Sequence, residues 1–145
     1  MDNGQSNRVG QHITYFEDPD IIYMKLIGEV TAAEGVDLNR LHRDFGRGRS
    51  HVFLLFDLSE LEKIDAGVRK EAGATLKMIP MRGAAIFGAP MKARVLAKLI
   101  LTAMNLFKGE DEKAPVQFVD SEADARAFID KRRREVAARQ QAASA

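Results

Sequence analysis

The stretch Val52 to Phe56 (VFLLF) constrains the fold of this chain more than any other: five consecutive apolar residues, too short for a buried helix and closed by Asp57. A run without polar alternation suits a strand covered on both faces, in a sheet with helices packed on it. Phe53 and Leu55 then point opposite to Val52, Leu54 and Phe56. A polar stretch follows before the next helix starts. Loops at the carboxyl ends of parallel strands are where open α/β folds place ligands and partners. A partner-binding loop is therefore expected at Asp57, Ser59, Asp65, Ala66, Gly67 and Arg69.

The flanking segments supply the other layers. Gln11 to Glu17 and Ile21 to Glu29 read as strands joined by Asp18-Pro19-Asp20, whose turn chemistry makes the pair an antiparallel hairpin. Thr31-Ala-Ala-Glu34 matches a capping box, opening a helix that ends at Gly46-Arg-Gly48. After the buried strand, Val68, Ala72, Leu76 and Ile79 make one stripe of a second helix, stopped by Pro80. Gly83 to Gly88 is a short apolar strand, Pro90 opens a third helix running to Phe107, and Val116 to Val119 is a last strand. Ser121-Glu-Ala-Asp124 caps a fourth helix with Ala125, Phe128 and Ile129 facing in, expected to fray beyond Lys131.

The order β-β-α-β-α-β-α-β-α predicts an α/β fold: a mixed five-stranded sheet with an antiparallel first strand and four helices. Residues 1–10 are expected as a disordered N-terminal tail, 11–136 as a single domain and 137–145 as a disordered C-terminal tail. A chain of 145 residues suffices to bury roughly 70% of its unfolded surface. With 22 basic and 21 acidic residues the net charge is +1, which gives no global pull toward nucleic acid. The absence of cysteine excludes disulfides and thiolate chemistry. The N-terminal residues lack a secretory layout, and Val95 to Phe107 is too short and too polar to span a bilayer. A cytoplasmic location is expected.

Candidate chemistry is sparse. His12, His42 and His51 share no metal-pair spacing and read as surface or edge residues. Ser59 lacks a nucleophile elbow, and no phosphate-binding glycine loop is present. Asp57 and Asp65 could form a carboxylate pair, although Asp65 also fits a helix N-cap. Lys131 to Arg134 is too thin for a nucleic-acid footprint without accompanying aromatics. No cofactor and no metal are expected.

The third helix is the least ordinary element. Apolar residues surround nearly its whole circumference, where one covered face needs a stripe of roughly 100° or somewhat more. Leu96, Leu99, Ile100, Met104 and Phe107 are thus expected to meet a neighbouring helix, a second subunit, an apolar ligand or a membrane surface. At its start Lys92 and Arg94 add side-chain cations to an N-terminus that already favours anions, an arrangement suited to an anion or a phospholipid headgroup.

The apolar strand ending Asp57-Leu58-Ser59, with Ile64-Asp65-Ala66-Gly67 at a helix start, resembles the STAS domains of anti-sigma-factor antagonists and sulfate transporters. The ending VQFVDSEADARAFI is similar to the SpoIIAA-like branch. That resemblance implies a non-catalytic regulatory domain binding a protein partner. In the antagonists a serine in the helix-start loop is phosphorylated; here Ala66 stands in its place, and alanine has no hydroxyl. The expectation is a homodimeric interaction domain without phosphoserine control. The alternative is a small binding protein for an apolar or anionic-lipid ligand, peripheral at a membrane.

Overall fold

A computed structural model of the chain describes residues 7–105 and 114–144, with backbone alone for 100, 101 and 103–105. The elements are β1 (Asn7–Val9), β2 (His12–Glu17), β3 (Ile21–Val30), α1 (Ala32–Gly46), β4 (Val52–Ile64), α2 (Ala66–Met78), β5 (Met81–Phe87), α3 (Met91–Asn105), β6 (Val116–Val119) and α4 (Glu122–Ser144). They build a six-stranded sheet in the order β1-β2-β3-β4-β5-β6. The pairs β1–β2 and β2–β3 are antiparallel, and the rest are parallel.

This order dictates the layers. Each parallel strand lies beside its predecessor, so right-handed crossovers put α1, α2 and α3 on one sheet face. The other face is left to α4. Two apolar clusters result. Val52, Leu54 and Leu58 of β4 join Leu38, Leu76 and Ile86 beneath the three-helix layer. Phe53 and Leu55 join Ala85, Ala125 and Ile129 beneath α4. The expectation for VFLLF holds: Val52 to Leu55 are at most 1% exposed and lie mid-sheet, covered above and below.

Local chemistry fixes the helix ends. Thr31 and Glu34 form the reciprocal capping box of α1, and the Asp65 side chain accepts from the Gly67 amide at the start of α2. Gly35 lets α1 and α2 touch, since a Cβ there would lie 2.6 Å from Val68 Cγ2. On the other face α4 is held by charge. Arg126 donates twice to Glu17 at 2.8 and 2.9 Å, and Arg133 twice to Asp20 at 2.7 and 2.9 Å. Arg132 donates to the Arg82 carbonyl at 2.8 and 3.1 Å. The basic run Lys131–Arg134 therefore largely serves to clamp the helix.

Four expectations need correction. The sheet has six strands, because Asn7–Val9 pairs with β2 and so adds an edge strand within the presumed tail. The helix α4 continues to Ser144, with every residue after Val136 exposed. The polar stretch after Asp57 is no loop: β4 runs on to Ile64, paired with β3 as far as Val30. Finally, His12 and His42 are 1% and 5% exposed, not surface residues.

Candidate functional site

The expected docking loop is a strand with a bulge. Lys25 pairs with Asp57 but Ile27 with Glu60, so two steps on β3 face three on β4. Asp57 Oδ1 accepts from the Ser59 amide at 2.9 Å and from its hydroxyl at 2.6 Å, which fixes the kink. Lys25 Nζ lies 2.6 Å from Glu60 and 3.8 Å from Asp57. Asp65 caps α2 at the far end of the strand, roughly 25 Å from Asp57 at the usual rise. The two carboxylates are not brought together. Ala66 and Gly67 are exposed at the helix start.

Arg69 alone of that expected set reaches a cavity, which the structure places beneath the three-helix layer. Its volume is about 120 Å³. Its walls come from Met24 and Leu26 of β3, Leu54, Leu58 and Leu61 of β4, Leu38 of α1, Leu76 of α2, and Leu96 and Ala97 of α3. Native cores hold few voids larger than a water molecule. This one opens to solvent past the partly exposed Leu61, Ile64, Val68 and Ala97.

The polar groups at the cavity are few and specific. His42 Nε2 donates to Thr14 Oγ1 at 3.0 Å, because the Thr14 hydroxyl itself donates to the Tyr23 carbonyl at 2.6 Å. Complete burial pushes His42 down to about 4, so the ring is neutral. Thr75 Oγ1 accepts from Arg43 at 3.1 Å. Asn39 is different: its side-chain amide Nδ2 is buried without a hydrogen-bond partner among the described residues. Arg69 makes no ion pair among the described residues.

Sequence reading missed Asn39, Thr14 and both buried histidines. Each sits on the inward face of its element, which only the docking of that element reveals. His12 shows the same logic at the sheet edge. Its Nδ1 accepts from the Ile27 amide at 3.1 Å and its Nε2 faces Glu34 at 3.1 Å. The Thr31 amide and His12 hold the Glu34 carboxyl below the usual range.

The excess apolar surface of α3 divides in two. Ala93, Leu96 and Ala97 turn toward the cavity, while Met91, Val95 and Leu99 are 75%, 51% and 65% exposed. Phe107 lies outside the described residues, and only backbone is described for Ile100 and Met104. At the helix start Lys92 is exposed, but Arg94 is turned back: its Nε donates to the Ala89 carbonyl at 3.2 Å, and its guanidinium lies 3.9 Å from Asp120. Among the described residues no helix is long and apolar enough to cross a membrane. No cluster of three His, Asp or Glu among them is placed to hold a metal.

No protein-family model matches the sequence, and a search of curated proteins finds no match. Among solved structures, the chain is similar to an uncharacterised protein of the DUF3478 family, with a SpoIIAA-like fold, from Shewanella loihica PV-4. The TM-score is 0.53 at 16% identity, over 86% of this chain and 89% of that one. At that identity the likeness concerns the fold alone. The likeness shows that the chain has a SpoIIAA-like α/β fold.

Proposed function

We propose that the chain is a non-catalytic SpoIIAA-like domain that works at an anionic membrane surface, with the outer sides of α2 and α3 turned to the headgroups. The observation that carries this reading is the exposed arc of α3. Met91, Val95 and Leu99 recur every four residues and stack along one line. At 100° per residue Lys98 and Lys92 fall on either side of that line. The helix contains no acidic residue. The outer side of α2 adds Lys70, Lys77 and Met78, with Glu71 the acidic exception. An apolar ridge between lysines is the arrangement that enters a headgroup layer, the ammonium groups reaching the phosphates.

A second copy of the chain is the other occupant this ridge could take, and the apolar stripe favours it. In a two-fold interface, however, each surface meets itself. The lysines flanking the stripe would then oppose their own copies, which weighs for the membrane. Ala66, exposed where the antagonists carry their serine, fits a domain without a phosphoserine switch.

The test is sedimentation with vesicles of phosphatidylcholine, with and without phosphatidylglycerol. Binding is expected only to the anionic vesicles. Lys92→Gln with Lys98→Gln is expected to weaken it about thirtyfold, at about 1 kcal/mol per cation. Val95→Ser with Leu99→Ser should weaken it as well. Absence of binding, or binding indifferent to both variants, overturns the reading. A doubled mass in light scattering, abolished by the Val95/Leu99 variant, replaces it with the dimer.

A further inference from the structure

We propose that Arg94 and Lys98, converging on the ring of Phe118, form a notch that takes the phosphomonoester headgroup of a membrane lipid. The proposal rests on the membrane reading above and names the lipid chemistry that this surface selects.

Three observations carry it. The first is the convergence itself. Arg94 Cζ lies 5.7 Å and Lys98 Nζ 5.6 Å from the centroid of the Phe118 ring, so two cations share one aromatic ring. The ring attracts each of them, but like charges four residues apart on a helix repel. An anion held between them removes that repulsion.

The second is that the pair is not neutralised. Arg94 donates through Nε to the Ala89 carbonyl at 3.2 Å, which orients the guanidinium, while its terminal nitrogens make no hydrogen bond among the described residues. The acid that faces it is Asp120, 3.9 Å away and 97% exposed, and a pair so open to solvent is weak. Lys98 is exposed and makes no ion pair among the described residues. The helix α3 contains no acidic residue. The arginines of α4 differ: Arg126, Arg132 and Arg133 each direct their forks to an acid or a carbonyl.

The third is place. At 100° per residue Arg94 and Lys98 lie along one flank of the Met91–Val95–Leu99 ridge. A headgroup in the notch therefore leaves its acyl chains beside exposed apolar side chains, a contact that a free phosphate cannot use.

Two cations favour a ligand with more than one negative charge. A phosphomonoester carries about −1.5 to −2 at pH 7 and three terminal oxygens, enough to meet the guanidinium fork and the ammonium together. A phosphodiester or a carboxylate brings a single charge.

The test compares vesicles of phosphatidylcholine carrying phosphatidic acid with others carrying phosphatidylglycerol, at matched surface charge. The full chain is expected to bind phosphatidic acid about tenfold more tightly. Arg94→Gln should erase that preference while binding to phosphatidylglycerol persists. Asp120→Asn, which removes the competing carboxylate, should raise the affinity for phosphatidic acid about threefold. Glycerol 3-phosphate, equimolar with the accessible phosphatidic acid, should leave the protein on the vesicle; displacement would move the site to a soluble ester and overturn the lipid assignment. Equal affinities for the two vesicles, or a preference that survives Arg94→Gln, overturns the notch and leaves the membrane reading standing. Absence of binding to either vesicle overturns both.

Discussion

Gly88 lies so close to Ser59 that a Cβ on the glycine would sit 2.7 Å from the serine Cβ and 3.2 Å from its Cα. Gly88 also has φ +72°, where other residues are strained. The contact locks the end of β5 against the bulge that Asp57 and Ser59 create in β4. Gly88→Ala is expected to cost about 3 kcal/mol, strain and overlap together. Gly48 shares the conformation (φ +76°) but a Cβ there meets nothing within 4 Å. Gly48→Ala should cost about 1 kcal/mol, for the strain alone. Urea unfolding of the two variants separates the terms, and equal losses would show that the Ser59 contact is without consequence.

His42 makes stability depend on pH. Its folded value is about 4 against an ordinary 6.5, so the unfolded chain binds the proton first as pH falls. Its contribution is complete above 6.5 and declines toward 4. Between pH 7 and 5 the wild type should lose about 2 kcal/mol more than His42→Gln does. Parallel pH profiles of the two proteins would refute this.

Two ion pairs hold α4, and they should differ in worth. Asp20 is 4% exposed, so Arg133→Met strands a buried carboxylate with only His51, 3.7 Å away, as a remaining partner among the described residues. A loss of about 3 kcal/mol is expected. Glu17 and Arg126 are both partly open to solvent, and Arg126→Met should cost about 1 kcal/mol. Thermal unfolding that ranks the variants the other way would contradict the burial argument.

The Glu17 pair also sets an acid limit. The hydrogen bonds from Arg126 hold the Glu17 carboxyl below its ordinary 4.5. A depressed carboxylate contributes stability that is present above the unfolded value and lost as pH falls through the folded one. The gap between wild type and Glu17→Gln should therefore close below pH 4.5. A gap that stays constant down to acid unfolding would count against the pairing.

The fold was legible where one physical signal dominated. The unbroken VFLLF run, the reciprocal Thr31–Glu34 cap and Pro19 between two aspartates each left one reading open, and each holds. The second half of β4 was not legible, because its bulges break the alternation that marks a strand. Leu58, Leu61 and Ile64 recur every third residue among charges, which resembles a loop. β1 was missed because three residues carry no period. Asn39 and His42 were missed because a polar residue on an inward face cannot be told from one facing solvent until the helix is docked. The division of α3 into a cavity side and an open side needed coordinates for the same reason.

Beyond the Asp57–Phe87 pairing, β4 keeps only β3 as a strand neighbour among the described residues, so Ile27–Val30 and Glu60–Ile64 form a two-stranded ribbon extending past the main sheet. A lone ribbon is marginal by itself, and this one is held by Val30, Leu61 and Ile64, which also line the cavity. The ribbon can therefore loosen without disturbing VFLLF. Deuterium should enter the backbone amides of Leu61 to Ile64 well before those of Val52 to Phe56.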